Sequence, residues 1–267
     1  MKIEIRIVDK EKGIVQITGA DERWYSKALK PEKDITSIED YMFVPSVTWV
    51  CGHYPKGIAF YKWLADRSWN EAEALKNAAG NKGSKVHQAI GMYLTGSEIK
   101  MNDSFVNDAG NPEELTVEEY DCIVSFTEWY KTLNNPKMLA SEITVFNDIE
   151  GYAGTVDLLI EIDGETWLID FKTSQQVWPE YELQVSAYKH ANLPTNSNIK
   201  LGILQIGYRR NKNKYKFTEI EDKYPLFLAA KSIWANETAA EKPKWQTYPL
   251  SVKLGEVSKT IKEELIK

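Results

Sequence analysis

The stretch "GTVDLLIEIDGETWLIDFKTS", residues 154–174, carries Asp157, Asp170 and Lys172 among apolar residues that read as core. Asp163-Gly164 between two apolar runs is the signature of a two-residue type I′ hairpin turn. That turn sets the register: Ile162 faces Glu165, and stepping back along both strands brings Asp157 opposite Asp170. The same count sets Thr155 opposite Lys172. Directly opposed Cβ atoms on one face lie ~5 Å apart. Val156, Leu158, Ile160, Ile169 and Phe171 form the other, fully apolar face. Like charges opposed on a strand pair destabilise it, so something must offset the two carboxylates. Lys172 offsets part. A divalent cation does better, because convergent carboxylates offer the hard oxygen ligands that Mg²⁺ or Mn²⁺ take. The Phe171 carbonyl is a further oxygen donor at the same place.

Other residue types either join this cluster or are structural, Tyr188 as core, Gln184 as a boundary residue and His87 as a lone structural histidine. Gln184 and Tyr188, in "YELQVSAYKHA", are four apart and share a helix face. His87, near a predicted helix start in "GSKVHQAI", supplies an imidazole, which suits Mn²⁺ better than Ca²⁺. His53 and His190 have no such company and read as surface or structural.

The elements that must position these residues are a mixed set. Alternation over residues 2–19 predicts a hairpin, and "FVPSVTWV" a short extended piece. Residues 56–78 read as helical, punctuated by Gly80 and Gly83, with Ser84 as N-cap of a second helix. Residues 97–112 read as a loop. A capping box, Thr116 to Glu119, opens a helix to Leu133. Strands are predicted at 139–146, 152–162 and 165–173, a helix at 178–191, strands at 200–208 and 214–220, and a helix at 223–236. A short amphipathic helix through Leu254, Val257, Ile261 and Leu265 is predicted to close the chain. Three segments are expected: an N-terminal β-hairpin extension over 1–40, the main domain over 41–238, and a tail over 239–267. The class is mixed α/β around a central sheet.

The chain has 267 residues, 43% apolar and 27% charged, with a net charge of −6. This is ordinary globular composition. No run approaches the ~18 apolar residues of a membrane span. The start has no apolar h-region of a signal peptide. A cytoplasmic location without membrane contact is expected. Cys51 and Cys122 are far apart and form no metal-binding pair. The densest basic run, "YRRNKNKYK", holds Arg209, Arg210, Lys212 and Lys214. By charge alone it reads as a solvated turn between strands.

Taken together, these pieces resemble the PD-(D/E)XK nuclease superfamily, RecB-like branch. "NKGSKVH" is similar to the upstream Gly-Thr-x-x-His motif, and "SEITV" to the strand that bears a Glu. "GTVDLL" carries the motif Asp, "IDFKT" the D-x-K core, and "LQVSAY" resembles the downstream Gln-x-x-x-Tyr motif. The likeness spans residues 81–190. A looser one, at "VPSVTWV…PKGIAFYKW", is to phage-type and mitochondrial genome-maintenance-type exonucleases. The resemblance implies a restriction-endonuclease-like mixed sheet flanked by helices. It also implies metal-dependent phosphodiester cleavage in recombination, repair or phage DNA processing.

Under the resemblance His87, Asp157, Asp170 and the Phe171 carbonyl bind Mg²⁺ or Mn²⁺. Lys172 positions or activates the attacking water and offsets phosphate charge, while Gln184 and Tyr188 support Lys172 or the DNA backbone. Glu142 contacts the metal through water or orients Lys172, although a two-residue Glu150-Gly151 turn would place Thr144, not Glu142, opposite Asp157. Two separated cysteines cannot hold the iron–sulfur cluster of several relatives. The expected partner is single-stranded DNA or DNA ends, with Arg209, Arg210, Lys212 and Lys214 as a phosphate track. The expected activity is exonuclease; the rivals are a structure-selective endonuclease and a non-cleaving DNA-binding or scaffold protein.

Overall fold

The computed structural model describes residues 4–19, 22–30, 34–35, 37–108, 110–193, 198–244, 252–254 and 256–257. The fold is mixed α/β, with a five-stranded mixed central sheet and flanking helices. The chain divides into two compact units. One comprises 1–53, 144–154 and 228–267; the other comprises 54–143 and 155–227.

The first unit holds β1 (Glu4–Asp9), β2 (Ile14–Thr18), β3 (Arg23–Ala28) and β4 (Tyr41–Pro45), a four-stranded sheet in chain order. The predicted hairpin is β1–β2. The predicted extended piece over 43–50 is extended only to Pro45. Beyond it Ser46 accepts a hydrogen bond from the Trp49 N–H and caps α1 (Val47–Cys51). Ile14, Tyr25, Val44, Phe146 and Ala153 form the core of this unit. Trp24, Trp49 and Trp234 meet edge to face.

The second unit opens with α2 (Ile58–Ala65) and α3 (Trp69–Leu94). The predicted break at Gly80 and Gly83 does not occur. α3 runs through both glycines, and its N-cap is Ser68, not Ser84. A helical glycine costs only about 1 kcal/mol, and Gly80 offsets that cost by close approach. The Asp108 carboxylate lies 2.5 Å from where a Gly80 Cβ would sit. The Ser84 hydroxyl bonds that same carboxylate instead of capping a helix. The predicted loop over 97–112 contains β5 (Ser104–Val106), which pairs with β6 (Pro112–Glu114). The Thr116–Glu119 capping box opens α4 (Val117–Lys131) as expected.

β7 (Lys137–Asn147), β8 (Tyr152–Ile162), β9 (Glu165–Lys172), β10 (Ile199–Ile206) and β11 (Tyr215–Ile220) build the central sheet, in the order β11-β10-β9-β8-β7. β10 is parallel to β9; β8–β9 and β10–β11 are antiparallel. α5 (Pro179–Lys189) is the crossover between β9 and β10, and α6 (Tyr224–Thr238) follows β11. Val86, Ala89 and Ile90 of α3 and Ile123, Phe126 and Trp129 of α4 pack on Leu158, Ile160, Ile169 and Phe171. Period-two alternation therefore turns Asp157, Leu159, Leu168 and Asp170 to the opposite face.

Where the closing helix was expected to begin, β12 (Val252–Lys253) pairs with β13 (Glu256–Val257). Ile261 and Leu265 lie outside the described residues. Among the described residues no helix is long and apolar enough to cross a membrane.

One buried ion pair ties α3 to α4. Lys85 meets Glu119 at 2.9 Å and Glu113 at 3.4 Å, and donates to the Glu114 carbonyl. Removing one partner of a buried pair leaves an uncompensated charge and costs about 3–5 kcal/mol. Glu119→Ala also removes the capping box, worth about 1 kcal/mol. It should lower unfolding free energy by about 3 kcal/mol or more in a urea titration. A loss under about 1 kcal/mol would mean that Glu113 and Glu114 satisfy Lys85 alone.

Candidate active site

The β8–β9 turn forms as the Asp-Gly pair dictates: Asp163 has φ 52° and Gly164 φ 81°. The predicted register holds from Ile162↔Glu165 to Leu158↔Ile169, and there the pairing ends, one step short of Asp157 and Asp170. β9 meanwhile stays paired with β10 through Lys172↔Gln205. The carboxylates are thus not a ladder pair. Instead Asp157 Oδ2 accepts the Phe171 N–H at 2.7 Å, so a side chain takes the bond that the next strand partner would have made.

His87, on α3, fills the other half of this gap. Its Nε2 lies 3.0 Å from the Phe171 carbonyl and its Nδ1 3.2 Å from Asp157 Oδ1. Both ring nitrogens face acceptors, and only a doubly protonated ring donates to both. Burial disfavours that cation, but the Asp157 carboxylate outweighs burial and raises the His87 pKa to about 9. Burial likewise opposes ionisation of Asp157, yet His87 first and Lys172 next hold it below the usual range.

On the far side of Phe171, Asp170 Oδ2 is 2.6 Å from Lys172 Nζ. Gln184 Nε2 donates to Asp170 Oδ1 at 2.9 Å and to the Tyr188 hydroxyl at 3.0 Å, while Lys172 donates to Gln184 Oε1 at 3.2 Å. Burial raises the Asp170 pKa to about 6; Lys172 opposes this and Asp157 adds to it. Burial opposes the Lys172 charge, but Asp170 and then Asp157 hold its pKa above the ordinary value.

The candidate residues thus fall into one connected cluster, with Glu142 included. The expected two-residue turn between β7 and β8 is instead a longer loop. Asn147 accepts from the N–H groups of Ile149 and Glu150, and the Gly151 N–H reaches the Asn147 carbonyl. A four-residue loop, 148–151, replaces the turn on which the Thr144 count rested, and Glu142 lies beside Asp157 and His87. Glu142 has φ 50° inside a strand, a strained conformation for a side-chain-bearing residue. Gly91, one turn past His87 on α3, leaves it room: a Cβ there would lie 3.2 Å from Glu142 Cγ. One ligand atom from each of His87, Glu142 and Asp157 lies within 4.8 Å of the others, an arrangement that can hold a metal ion. Asp170 Oδ2 is buried and, outside its ion pair with Lys172, accepts no hydrogen bond among the described residues. A convergent imidazole, carboxylates and a backbone carbonyl are the donor chemistry that Mg²⁺ or Mn²⁺ takes.

Two residues were not singled out from sequence. Tyr181 lies one turn before Gln184 on α5 and sets its ring 4.7 Å from Lys172 Nζ; the 181-184-188 spacing was the available signal. Gln205, buried on β10, donates to the Ser174 carbonyl at 2.9 Å and holds the chain leaving Lys172. A glutamine in an apolar strand was its only mark.

The basic run 209–214 connects β10 to β11, away from this cluster in the contacts it makes. Arg209 pairs with Glu118 at 2.9 Å and Lys214 with Asp121 at 2.7 Å, both on α4. Arg210 and Lys212 are exposed, and among the described residues neither makes an ion pair. No protein-family model matches the chain, and comparison with curated proteins gives no match.

The His87 shift has a stability consequence. Its folded pKa, about 9, lies above its ordinary 6.5, so the native state binds the extra proton between those values. Stabilisation by the imidazolium is complete below pH 6.5 and is lost as pH rises through 9. The melting temperature of metal-free protein in EDTA should therefore fall over that interval. His87→Gln should flatten the fall; an unchanged slope would show that His87 does not carry the proton.

Proposed function

We propose that this protein is a metal-dependent DNA exonuclease, a phosphodiester hydrolase that uses Mg²⁺ or Mn²⁺ in recombination, repair or phage DNA processing. The observation that carries the reading is the shared anchor of the cluster. Asp157 and His87 meet on the two backbone groups of Phe171, while Asp170, Lys172, Gln184 and Tyr188 form an unbroken chain beside it. Asp157, Asp170, Glu142, the Phe171 carbonyl and His87, the last once it has given up a proton, would hold the cation, which when bound lowers the pKa of a water and offsets charge on phosphate oxygens.

The chain's own residues divide the remaining work. Lys172 is held as an ammonium by Asp170 and Asp157 and so has no free lone pair near neutral pH. It therefore acts by orienting water and offsetting phosphate charge, not as a general base. Gln184 fixes both partners of the Lys172–Asp170 pair through opposite ends of one amide. Tyr188 fixes Gln184 in turn. The aromatic content, 9 Trp, 14 Tyr and 8 Phe, supports a substrate with unpaired bases. DNA ends are such a substrate, which favours exonuclease over endonuclease action.

End-labelled linear DNA should be cut with Mg²⁺, at least as well with Mn²⁺, and not in EDTA, whereas covalently closed circular DNA should survive. Cleavage in EDTA, or none with either ion on any DNA, would end this reading. Asp170→Asn and Lys172→Ala should abolish cleavage. Because burial and Asp157 make the Asp170 charge unfavourable above its pKa of about 6, Asp170→Asn should raise the metal-free melting temperature at pH 8. It should leave the value at pH 4 nearly unchanged, where the wild-type carboxyl is already neutral. A loss of several degrees at pH 8 would make the pair structural.

The 209–214 loop serves this reading as a secondary phosphate contact. Releasing counterions requires cations that are free to meet phosphate. Arg210→Ala with Lys212→Ala should flatten the log–log salt dependence of DNA binding by about two units. Arg209→Ala should flatten it less, since Glu118 already neutralises that guanidinium. An unchanged slope in the double variant would leave the loop as a solvated turn.

A further inference from the structure

α2 is a helix that buries none of its residues. Ile58 is 71% exposed, Phe60 38% and Tyr61 53%, and Trp69, at the start of α3, is 71% exposed. Contiguous exposed apolar groups mark an interaction surface. This one sets basic side chains against aromatic rings. The Lys56 ammonium lies 5.9 Å from the centre of the Phe60 ring, and the Arg67 guanidinium 5.2 Å from that of Trp63. Lys62 lies between them in sequence; Lys56 is paired to Glu180 and Arg67 to Glu71, and Asp66 follows the helix. Aromatic plates interleaved with cations match a polymer that alternates flat bases with phosphates. In a duplex the base faces are stacked on one another, so the complementary form is a single strand.

The surface is also continuous with the cluster. Lys56, just ahead of α2, is ion-paired to Glu180 in the first turn of α5. The next residue, Tyr181, carries the ring over Lys172. Trp178, the N-cap of α5, is 45% exposed. We infer that α2, with Trp178, is a stacking platform for unpaired bases of a nucleic-acid strand whose phosphodiester backbone leads to Lys172. The inference rests on the nuclease reading for its direction of travel, not for the binding itself.

The test measures binding of metal-free, full-length protein to three fluorescein-labelled oligonucleotides by anisotropy. One is a thymidine 12-mer, one an abasic strand of equal length, and one a duplex. Stacking on even one ring is worth about tenfold in affinity. Wild type should prefer the thymidine strand to the abasic strand by at least about tenfold. Phe60→Ala with Tyr61→Ala, folded by circular dichroism, should erase that preference and leave abasic binding unchanged. Equal affinity of wild type for the two strands, or an undiminished preference in the double variant, overturns the platform. So does a wild-type dimer in sedimentation that the double variant converts to monomer, because the surface would then belong to a second copy. Cleavage of DNA with Mg²⁺ by wild type is scored separately. Base preference without cleavage overturns the nuclease reading and leaves the platform standing; cleavage without base preference does the reverse.

Discussion

The arrangement depends on where the β8–β9 ladder stops. Past Leu158↔Ile169 the backbone N–H and C=O of Phe171 lose their partner on β8, yet buried backbone groups must be bonded. Asp157 supplies an acceptor and His87 a donor. An intact ladder would have occupied both backbone groups and kept the two faces of the sheet apart. Because it opens, a residue of α3 packed on one face and residues of α5 on the other converge on the same few atoms. β9 is not loosened by this, since its pairing with β10 continues through Lys172.

Charged partners outweigh burial at Asp157, His87 and Lys172, and burial prevails at Asp170. Two carboxylates with different neighbours are driven apart: Asp157, beside His87, stays ionised below the usual range, and Asp170 is raised to about 6. His87 and Lys172 each hold a proton more tightly than in water because a carboxylate faces them. The metal-free protein thus balances its buried negative charge with two protonated side chains. Glu142 adds a third carboxylate at the price of a left-handed backbone inside a strand. Gly91 is the residue on α3 that leaves its side chain space.

Much of this was legible in the sequence because short-range rules governed it. Asp163-Gly164 can scarcely form anything but a tight hairpin, so Asp157, Asp170 and Lys172 had to be neighbours. The four-residue spacing of Gln184 and Tyr188 put both on one face of α5, and both reach the cluster. Legibility failed where a long-range contact overrode a local signal. Gly83 meets open space and is simply tolerated within α3, whereas Gly80 reads as a helix breaker until Asp108, far along the chain, is seen to need the space. Ser84 looked like a cap for the same reason. The count from Glu150-Gly151 did not anticipate the loop that Asn147 builds, and the left-handed turn at Glu142 itself has no sequence signature. Gln205 acts through a parallel neighbour that only tertiary structure supplies.

Electrostatics also constrain how a polyanion could be held. The net charge is −6, so the far field does not attract DNA. Near the surface, many cations are already spoken for: Arg209 by Glu118, Lys214 by Asp121, Lys189 by Asp222 and Lys223 by Glu182. Such exposed pairs are weak, about 0–1 kcal/mol, and a phosphate can displace the carboxylate, but each exchange gains less than contact with a free cation. Affinity must therefore come from short-range terms that salt does not screen. Stacking on rings is one such term, and the exposed rings of α2 and Trp178 lie along the stretch that Lys56 and Glu180 join to Lys172. An acidic chain that binds in this way discriminates by base exposure before charge. Under the proposed nuclease reading, that order would let the buried carboxylate site meet only strands whose bases are already free.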